Sequence, residues 1–187
     1  MDSIREYERW LKSPLMTEDY RRELEGIKGN ESEIEARFGS RLEFGTAGLR
    51  GILGAGLSMM NIFTVRQATQ GLANMIASLG KDTANRGVAI AHDCRHMSRE
   101  FALEAASVLA AAGVRSFVFD ELRPTPELSF AVRELGCIAG INITASHNPK
   151  EYNGYKVYWE DGAQLSPANA DKVLAEIRKT DIFDDVK

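Results

Sequence analysis

Three short apolar runs, 87–92 (GVAIAH), 115–119 (RSFVF) and 137–144 (CIAGINIT), alternate with stripes of apolar residues at helical spacing. Runs this short with no polar face suit strands buried on both sides. The stripes predict four helices, built on Ile62, Val65, Leu72, Ile76 and Leu79; on Phe101, Ala105, Val108 and Ala112; on Leu128, Ala131, Val132 and Leu135; and on Ala170, Val173, Leu174 and Ile177. Thr125-Pro126 and Ser166-Pro167 each offer a capping hydroxyl before a proline at the first helical position, and Ser98 offers a third cap. Gly80, Gly113 and Gly136 follow three of the stripes, where a left-handed residue ends a helix. Strands alternating with helices predict βαβ units: an α/β domain of three layers, with a mostly parallel, mixed sheet between helices.

Charge density divides the chain. Residues 1–40 carry 17 charged side chains, whereas 41–187 carry 33 in 147 positions. Residues 1–40 therefore read as a helical N-terminal extension with little core to offer, made of two or three short amphipathic helices broken at Ser13-Pro14 and Gly29-Asn30. Residues 41–187 form the main domain. The acidic tail from Asp181 (DIFDDVK) has no turn or cap and reads as an interrupted ending.

A net charge of −4 leaves no basic footprint for nucleic acid or an anionic membrane. Cys94 and Cys137 are too few for a disulfide framework, and the first ten residues lack the apolar stretch of a signal peptide. Residues 51–80 hold one charge, Arg66, but polar residues and glycine interrupt them too often for a membrane span. The expectation is a reduced, cytoplasmic protein.

Chemistry concentrates in 143–159 (ITASHNPKEYNGYKVYW). A buried strand ends at Thr144 and small polar residues follow, which is where ligands bind in open α/β sheets. Ser146 offers a nucleophile or phosphoryl carrier, and His147 a group that stabilises charge or moves a proton. Asn148 and Asn153 offer amides, and Lys156 a point charge ten residues beyond the serine. The same residues also suit a capped turn and an inert hairpin with Asn153-Gly154 at its tip. A hydrolase elbow is excluded, since G-x-S-x-G is absent around Ser146.

Two other segments are candidates. Residues 44–56 (FGTAGLRGILGAG) hold five glycines and Arg50, a pattern that lets backbone amides and a guanidinium fork approach phosphate. It is neither a P-loop nor a dinucleotide fingerprint, and a glycine-bent strand at a sheet edge would look the same. Residues 92–96 (HDCRH) contain zinc-ligand types, but five consecutive positions cannot all face one ion. A loop held by hydrogen bonds of Asp93 and Arg95 is the better reading. Tyr155 and Trp159 suit hairpin packing, Met59-Met60 a hydrophobic edge, and the two cysteines buried small positions.

Taken together, FGTAGLRG, the following MNIFTVRQATQGLA and TASHNPKEYNGYKVYWEDG resemble the first domain of the α-D-phosphohexomutases, closest to the phosphoglucomutase and phosphopentomutase branch. The likeness covers about residues 40–180, and T-A-S-H-N-P followed by Y-N-G-Y-K is its most specific part. It implies that Ser146 carries a phosphoryl group and passes it to a hexose monophosphate. A hexose 1,6-bisphosphate intermediate then reorients and returns its other phosphoryl, interconverting hexose 1-phosphate and 6-phosphate. It implies that His147 and Lys156 contact the transferring group or handle the hydroxyl proton, and that Thr46 and Arg50 orient Ser146 and substrate. Arg50, Ser146, His147 and Lys156 would be catalytic; these four, Thr46 and Asn148 would bind substrate; Ser146 would also bind Mg²⁺.

The chain departs from the family in lacking the D-G-D-x-D-R metal loop of the second domain and the sugar- and phosphate-binding loops of later domains. The resemblance thus implies a partial enzyme, inactive alone, whose partners are a phosphosugar and the remaining domains of one polypeptide. Alternatives are a phosphopentomutase, phosphomannomutase or hexose bisphosphate synthase, or a phosphosugar-binding module without catalysis.

Overall fold

The computed structural model, which describes residues 2–46 and 48–186, turns the three apolar runs into adjacent parallel strands. Helices α1 (Ser3–Lys12), α2 (Glu18–Gly26) and α3 (Glu31–Phe38) come first, then β1 (Leu49–Ile52), α4 (Ile62–Ser78) and α5 (Lys81–Arg86). They are followed by β2 (Val88–His92), α6 (Ser98–Ala111), β3 (Ser116–Val118), α7 (Thr125–Glu134), β4 (Ala139–Ile143), β5 (Tyr152–Trp159) and α8 (Pro167–Lys179). The sheet order is β1-β5-β4-β2-β3. The pairs β4–β2 and β2–β3 are parallel, while β5 runs antiparallel to both β4 and β1. Four strands therefore share one direction and β5 opposes them, giving the expected mixed, mostly parallel sheet.

Every residue of β2 and β4 is buried, as their unbroken apolar character requires. One face of the sheet packs under α4 and α6, with Ile90, Ile141, Ile143, Tyr155 and Val157 in the main core. The other face is covered by α7, against Ala89, Ala91 and Tyr158. Gly140 shows why that helix lies so close: a Cβ there would come within 2.6 Å of Val132.

The helix-start expectations divide. Ser166 caps α8 as expected, accepting from the amide of Asn169. Thr125 does not cap α7; Pro124 holds that place, and the Thr125 hydroxyl accepts from Asn142 instead. Ser98 does not cap α6 either, because Met97 takes the cap in a left-handed conformation and the Ser98 hydroxyl turns to Asp93. Gly80, Gly113 and Gly136 all have positive φ, as their places after the helices demanded.

Residues 1–40 form the three helices foreseen, but they supply more core than their charge suggested. Trp10 is fully buried and meets the rings of Phe38, Phe63 and Phe183 edge-on at 5.4–5.5 Å. Together with Tyr7, Leu24 and Ile34 these rings make a second apolar cluster. The charges occupy the outer faces, so a high charge count and a full inner stripe coexist. Ile182 and Phe183 of the acidic tail join the same cluster, and Arg9 pairs with Asp181. No helix among the described residues is long and apolar enough to cross a membrane.

Candidate active site

The loops after β2 and β4 lie side by side at the carboxyl ends of those strands, and the polar elements of the candidate site are built on them, on β1 and β5, and on the turn that precedes β1. Ser146 stands three residues beyond Ile143, the last residue of β4, exposed, with φ 57. Among the described residues only Met97 shares a positive φ without being glycine, and it belongs to the facing loop. A left-handed conformation costs an L-residue roughly 1–2 kcal/mol, so both must be held by their surroundings. At Ser146 the amide donates to the Thr144 hydroxyl at 3.0 Å. The Ser146 hydroxyl lies 3.3 Å from Nδ1 of His147, itself exposed.

Arg50 projects from the edge strand β1 and donates to Asn148 Oδ1 at 2.9 Å. Lys156 lies opposite Asn142 on β5, two positions from Gly154, the register partner of Arg50. Strand alternation sets Lys156 and Arg50 on one face of the sheet. Partial burial lowers the Lys156 pKa and the Arg50 charge lowers it further, while Asp93 pulls the other way. Thr46 is exposed in the turn closed by the Gly45–Gly48 bridge; among the described residues it makes no hydrogen bond to the serine loop.

The HDCRH segment is a hydrogen-bonded loop, and among the described residues no group of three or more His, Cys, Asp or Glu is arranged to hold a metal ion. Asp93 Oδ1 accepts from the Arg95 amide at 3.0 Å and from the Ser98 hydroxyl at 2.7 Å. The Arg95 guanidinium crosses to the serine loop and donates to the carbonyls of Ser146, Asn148, Pro149 and Tyr152 at 2.7–3.0 Å. Cys94 is exposed rather than buried, because it occupies the outer side of this loop; Cys137 is buried. An open depression of about 380 Å³ lies between the two loops, lined by Ser146, Asn148, Lys150, Cys94 and His96 among others.

Asn153 and Gly154 are not a hairpin tip. They lie inside β5, paired with Gly51 and Arg50 of β1, and the chain reverses earlier, through 144–151. Asn153 is fully buried, donating to the His96 carbonyl and the Ser98 hydroxyl, both at 2.9 Å. A Cβ on Gly154 would lie within 2.8 Å of the carbonyl oxygens of Thr144 and Leu49. These two residues and Arg95 organise the site, yet neither contact pattern has a periodic signal in sequence. Tyr155, expected in hairpin packing, is instead fully buried beneath α4, where Thr69 donates to its hydroxyl. Met60 is likewise core rather than edge.

The arrangement offers an exposed hydroxyl beside an imidazole, a lysine whose charge is partly opposed, and a guanidinium reaching in from the sheet edge. Such a set is suited to an anionic group bound at Ser146.

Comparison with known proteins places the chain in a family. Residues 41–182 match the family described as "Phosphoglucomutase/phosphomannomutase, alpha/beta/alpha domain I". A phosphopentomutase of Mus musculus is 45% identical over 163 residues, covering 84% of this chain and 26% of that protein. A phosphoglucomutase of Staphylococcus aureus (strain MRSA252) is 51% identical over 138 residues, covering 73% and 24%. Among solved structures, a phosphoglucomutase/phosphomannomutase family protein of Burkholderia thailandensis superposes with a TM-score of 0.60 at 25% identity, covering 73% of this chain and 30% of that one. The chain thus spans about a quarter of the length of the curated relatives it matches. A mixed, mostly parallel sheet, a serine loop at its carboxyl edge and a family match across the whole α/β unit lead to one assignment: this chain belongs to the phosphoglucomutase/phosphomannomutase family and carries its domain I.

Proposed function

We propose that this chain is the serine-bearing domain of a phosphoglucomutase-type enzyme, interconverting a hexose 1-phosphate and a hexose 6-phosphate through phosphoserine and a bisphosphate intermediate. The observation that carries the reading is Ser146 itself: an exposed hydroxyl held at φ 57 on a loop whose backbone is tied down on both sides. A mobile serine would suit neither donor nor acceptor, because phosphoryl transfer depends chiefly on alignment and charge neutralisation.

In the proposed cycle a sugar hydroxyl oxygen bonds to phosphorus as the bond from phosphorus to Ser146 Oγ breaks. The hydroxyl proton leaves to a basic group; after reorientation Ser146 Oγ bonds to the second phosphorus as its bond to the sugar oxygen breaks, and that oxygen takes the proton back. His147, whose Nδ1 faces Oγ at 3.3 Å, is placed to stabilise the departing oxygen or move its proton. Lys156, whose lowered pKa makes its ammonium a readier proton donor than an ordinary lysine, steadies the phosphoryl oxygens while charged. Arg50 and Asn148 form a hydrogen-bonded edge for the substrate, and Thr46 adds a hydroxyl from the neighbouring turn.

Ser146 would supply one hard oxygen to Mg²⁺, and among the described residues no group of three or more His, Cys, Asp or Glu is arranged to hold a metal ion. The residues present therefore fit one corner of a magnesium site, the rest being supplied from outside this chain. Bound there, Mg²⁺ would neutralise charge on the phosphoryl group. Turnover by these 187 residues alone is expected to be slight.

The test is peptide mass mapping after incubation with glucose 1,6-bisphosphate, on this chain and on the polypeptide completed with the later family domains. Phosphate on Ser146 of the completed protein, abolished by Ser146→Ala together with mutase turnover, supports the proposal. Full turnover in the Ser146→Ala protein overturns it, and retained sugar phosphate binding without turnover in either form would favour a binding module.

A further inference from the structure

We propose that Arg95 is a positioning residue for phosphoryl transfer: its guanidinium touches no substrate but sets where Ser146 stands. The inference rests on the reading of Ser146 as phosphoryl carrier. It begins from what the donors of Arg95 do. A guanidinium has five N–H groups in a fixed plane. Nη1 donates to the carbonyls of Pro149 at 2.8 Å and Tyr152 at 3.0 Å. Nη2 donates to those of Ser146 at 2.8 Å and Asn148 at 2.7 Å. Nε lies 3.4 Å from Asp93 Oδ2. Each terminal nitrogen already serves two carbonyls, and the side chain is only 13% exposed, which leaves it poorly placed to take a phosphate. Arg50, exposed and engaged through one of its nitrogens with Asn148, is the arginine that can still receive one.

Four carbonyl dipoles aimed at one point repel one another unless a cation sits at the focus. The serine loop between 146 and 152 curls around Arg95 for that reason, and its curvature places Ser146 in the left-handed region that a serine would not choose alone. The post is itself braced. Asp93 binds the amide and guanidinium of Arg95 and receives the Ser98 hydroxyl, which in turn accepts from Asn153 where the loop re-enters the sheet. Both the middle and the exit of the loop are thereby referred to the rigid end of β2. Alignment within a fraction of an ångström is what such a transfer requires.

The experiment compares Arg95→Lys and Asp93→Asn with the unaltered protein, using amide hydrogen exchange on this chain and kinetics on the polypeptide completed with the later domains. Lysine keeps the charge but cannot address four carbonyls at once. The expected result is exchange faster by roughly tenfold or more in peptides spanning 145–152, with β2 and β4 unchanged. Asp93→Asn should loosen the same peptides by a smaller factor. In the completed protein, kcat should fall with KM little altered, whereas loss of a substrate contact would raise KM. Unchanged loop exchange in both variants, or exchange raised evenly throughout the domain, overturns the proposal. So does a rise in KM at constant kcat. Ser146→Ala run in parallel separates the two claims: full mutase activity there would refute the phosphoserine reading, while the exchange result would still judge what Arg95 holds.

Discussion

Nη1 of Arg50 and Oδ1 of Asn148 meet at 2.9 Å across 98 residues of sequence, joining the glycine-rich edge strand to the loop that carries Ser146. The two segments that looked chemical in isolation are thus one surface. The edge position of β1 leaves Arg50 in solvent, able to turn from Asn148 to an incoming anion without loss of core packing.

Replacing that side chain by lysine should therefore spare the fold and impair the site. For Arg50→Lys we expect unfolding free energy within about 0.5 kcal/mol of the parent, as for most exposed substitutions. In the completed enzyme kcat/KM should fall roughly 10–100-fold, the loss of a charge-assisted bond that a point charge cannot replace. Steady-state kinetics and a thermal melt of the same preparation check both halves; unaltered kcat/KM would remove Arg50 from the site.

Ser146 holds its place at a conformational cost, and that cost should be recoverable. Glycine adopts φ 57 freely, so Ser146→Gly should raise stability by about 0.5–1 kcal/mol while ending phosphoryl acceptance. Ser146→Ala should melt close to the parent, since an exposed hydroxyl contributes little packing. Denaturant titration of the three proteins gives the ordering; a glycine variant less stable than the alanine one would contradict it.

Gly154 is required by proximity rather than by a turn. Its neighbours on either side are the main-chain oxygens of Thr144 and Leu49, which cannot retreat as a side chain can. Gly154→Ala should cost about 2–4 kcal/mol and separate β5 from its partners near the site. The measurement is urea unfolding with exchange on β1 and β5; a loss under about 1 kcal/mol would show that the strands shift readily.

Acid should loosen the junction between the N-terminal helices and the tail. Burial alone would raise the Asp181 pKa, but the bond and charge of Arg9 and the amides of Phe183 and Asp184 bring it down to about 2. A pKa below the unfolded value, about 3.9, stabilises the fold above that value and ceases to do so as pH falls toward 2. Because both partners are partly in water, the contribution is about 1 kcal/mol. Asp181→Asn should lower stability by that amount at neutral pH and flatten the pH dependence between about 4 and 2. Melting across that range tests it, and parallel curves for the two proteins would count against the pair.

Much of this molecule was legible in residue order because the physics there is local. Unbroken apolar runs predict β2 and β4, since a strand covered on both faces has no use for polar side chains. Helical stripes predict α4, α6, α7 and α8, and the glycines after three of them predict their ends. The serine loop was visible as polar residues directly after a buried strand. What failed were signals with two meanings. Asn-Gly favours a tight turn, yet at 153–154 the asparagine is buried and the glycine admits two close carbonyls. Ser98 and Thr125 looked like caps, yet their hydroxyls serve Asp93 and Asn142. The charge count of residues 1–40 concealed a ring cluster around Trp10.

By itself, then, the sequence determined the α/β layering, the strand that delivers Ser146 and the family motif around it, all of which follow from patterns within a few residues. Only the tertiary structure decided that β5 runs against its neighbours, that Arg50 meets Asn148, and that Arg95 gathers four carbonyls of the serine loop. Those are contacts of distant segments with main-chain atoms, which every residue possesses alike and no residue type announces.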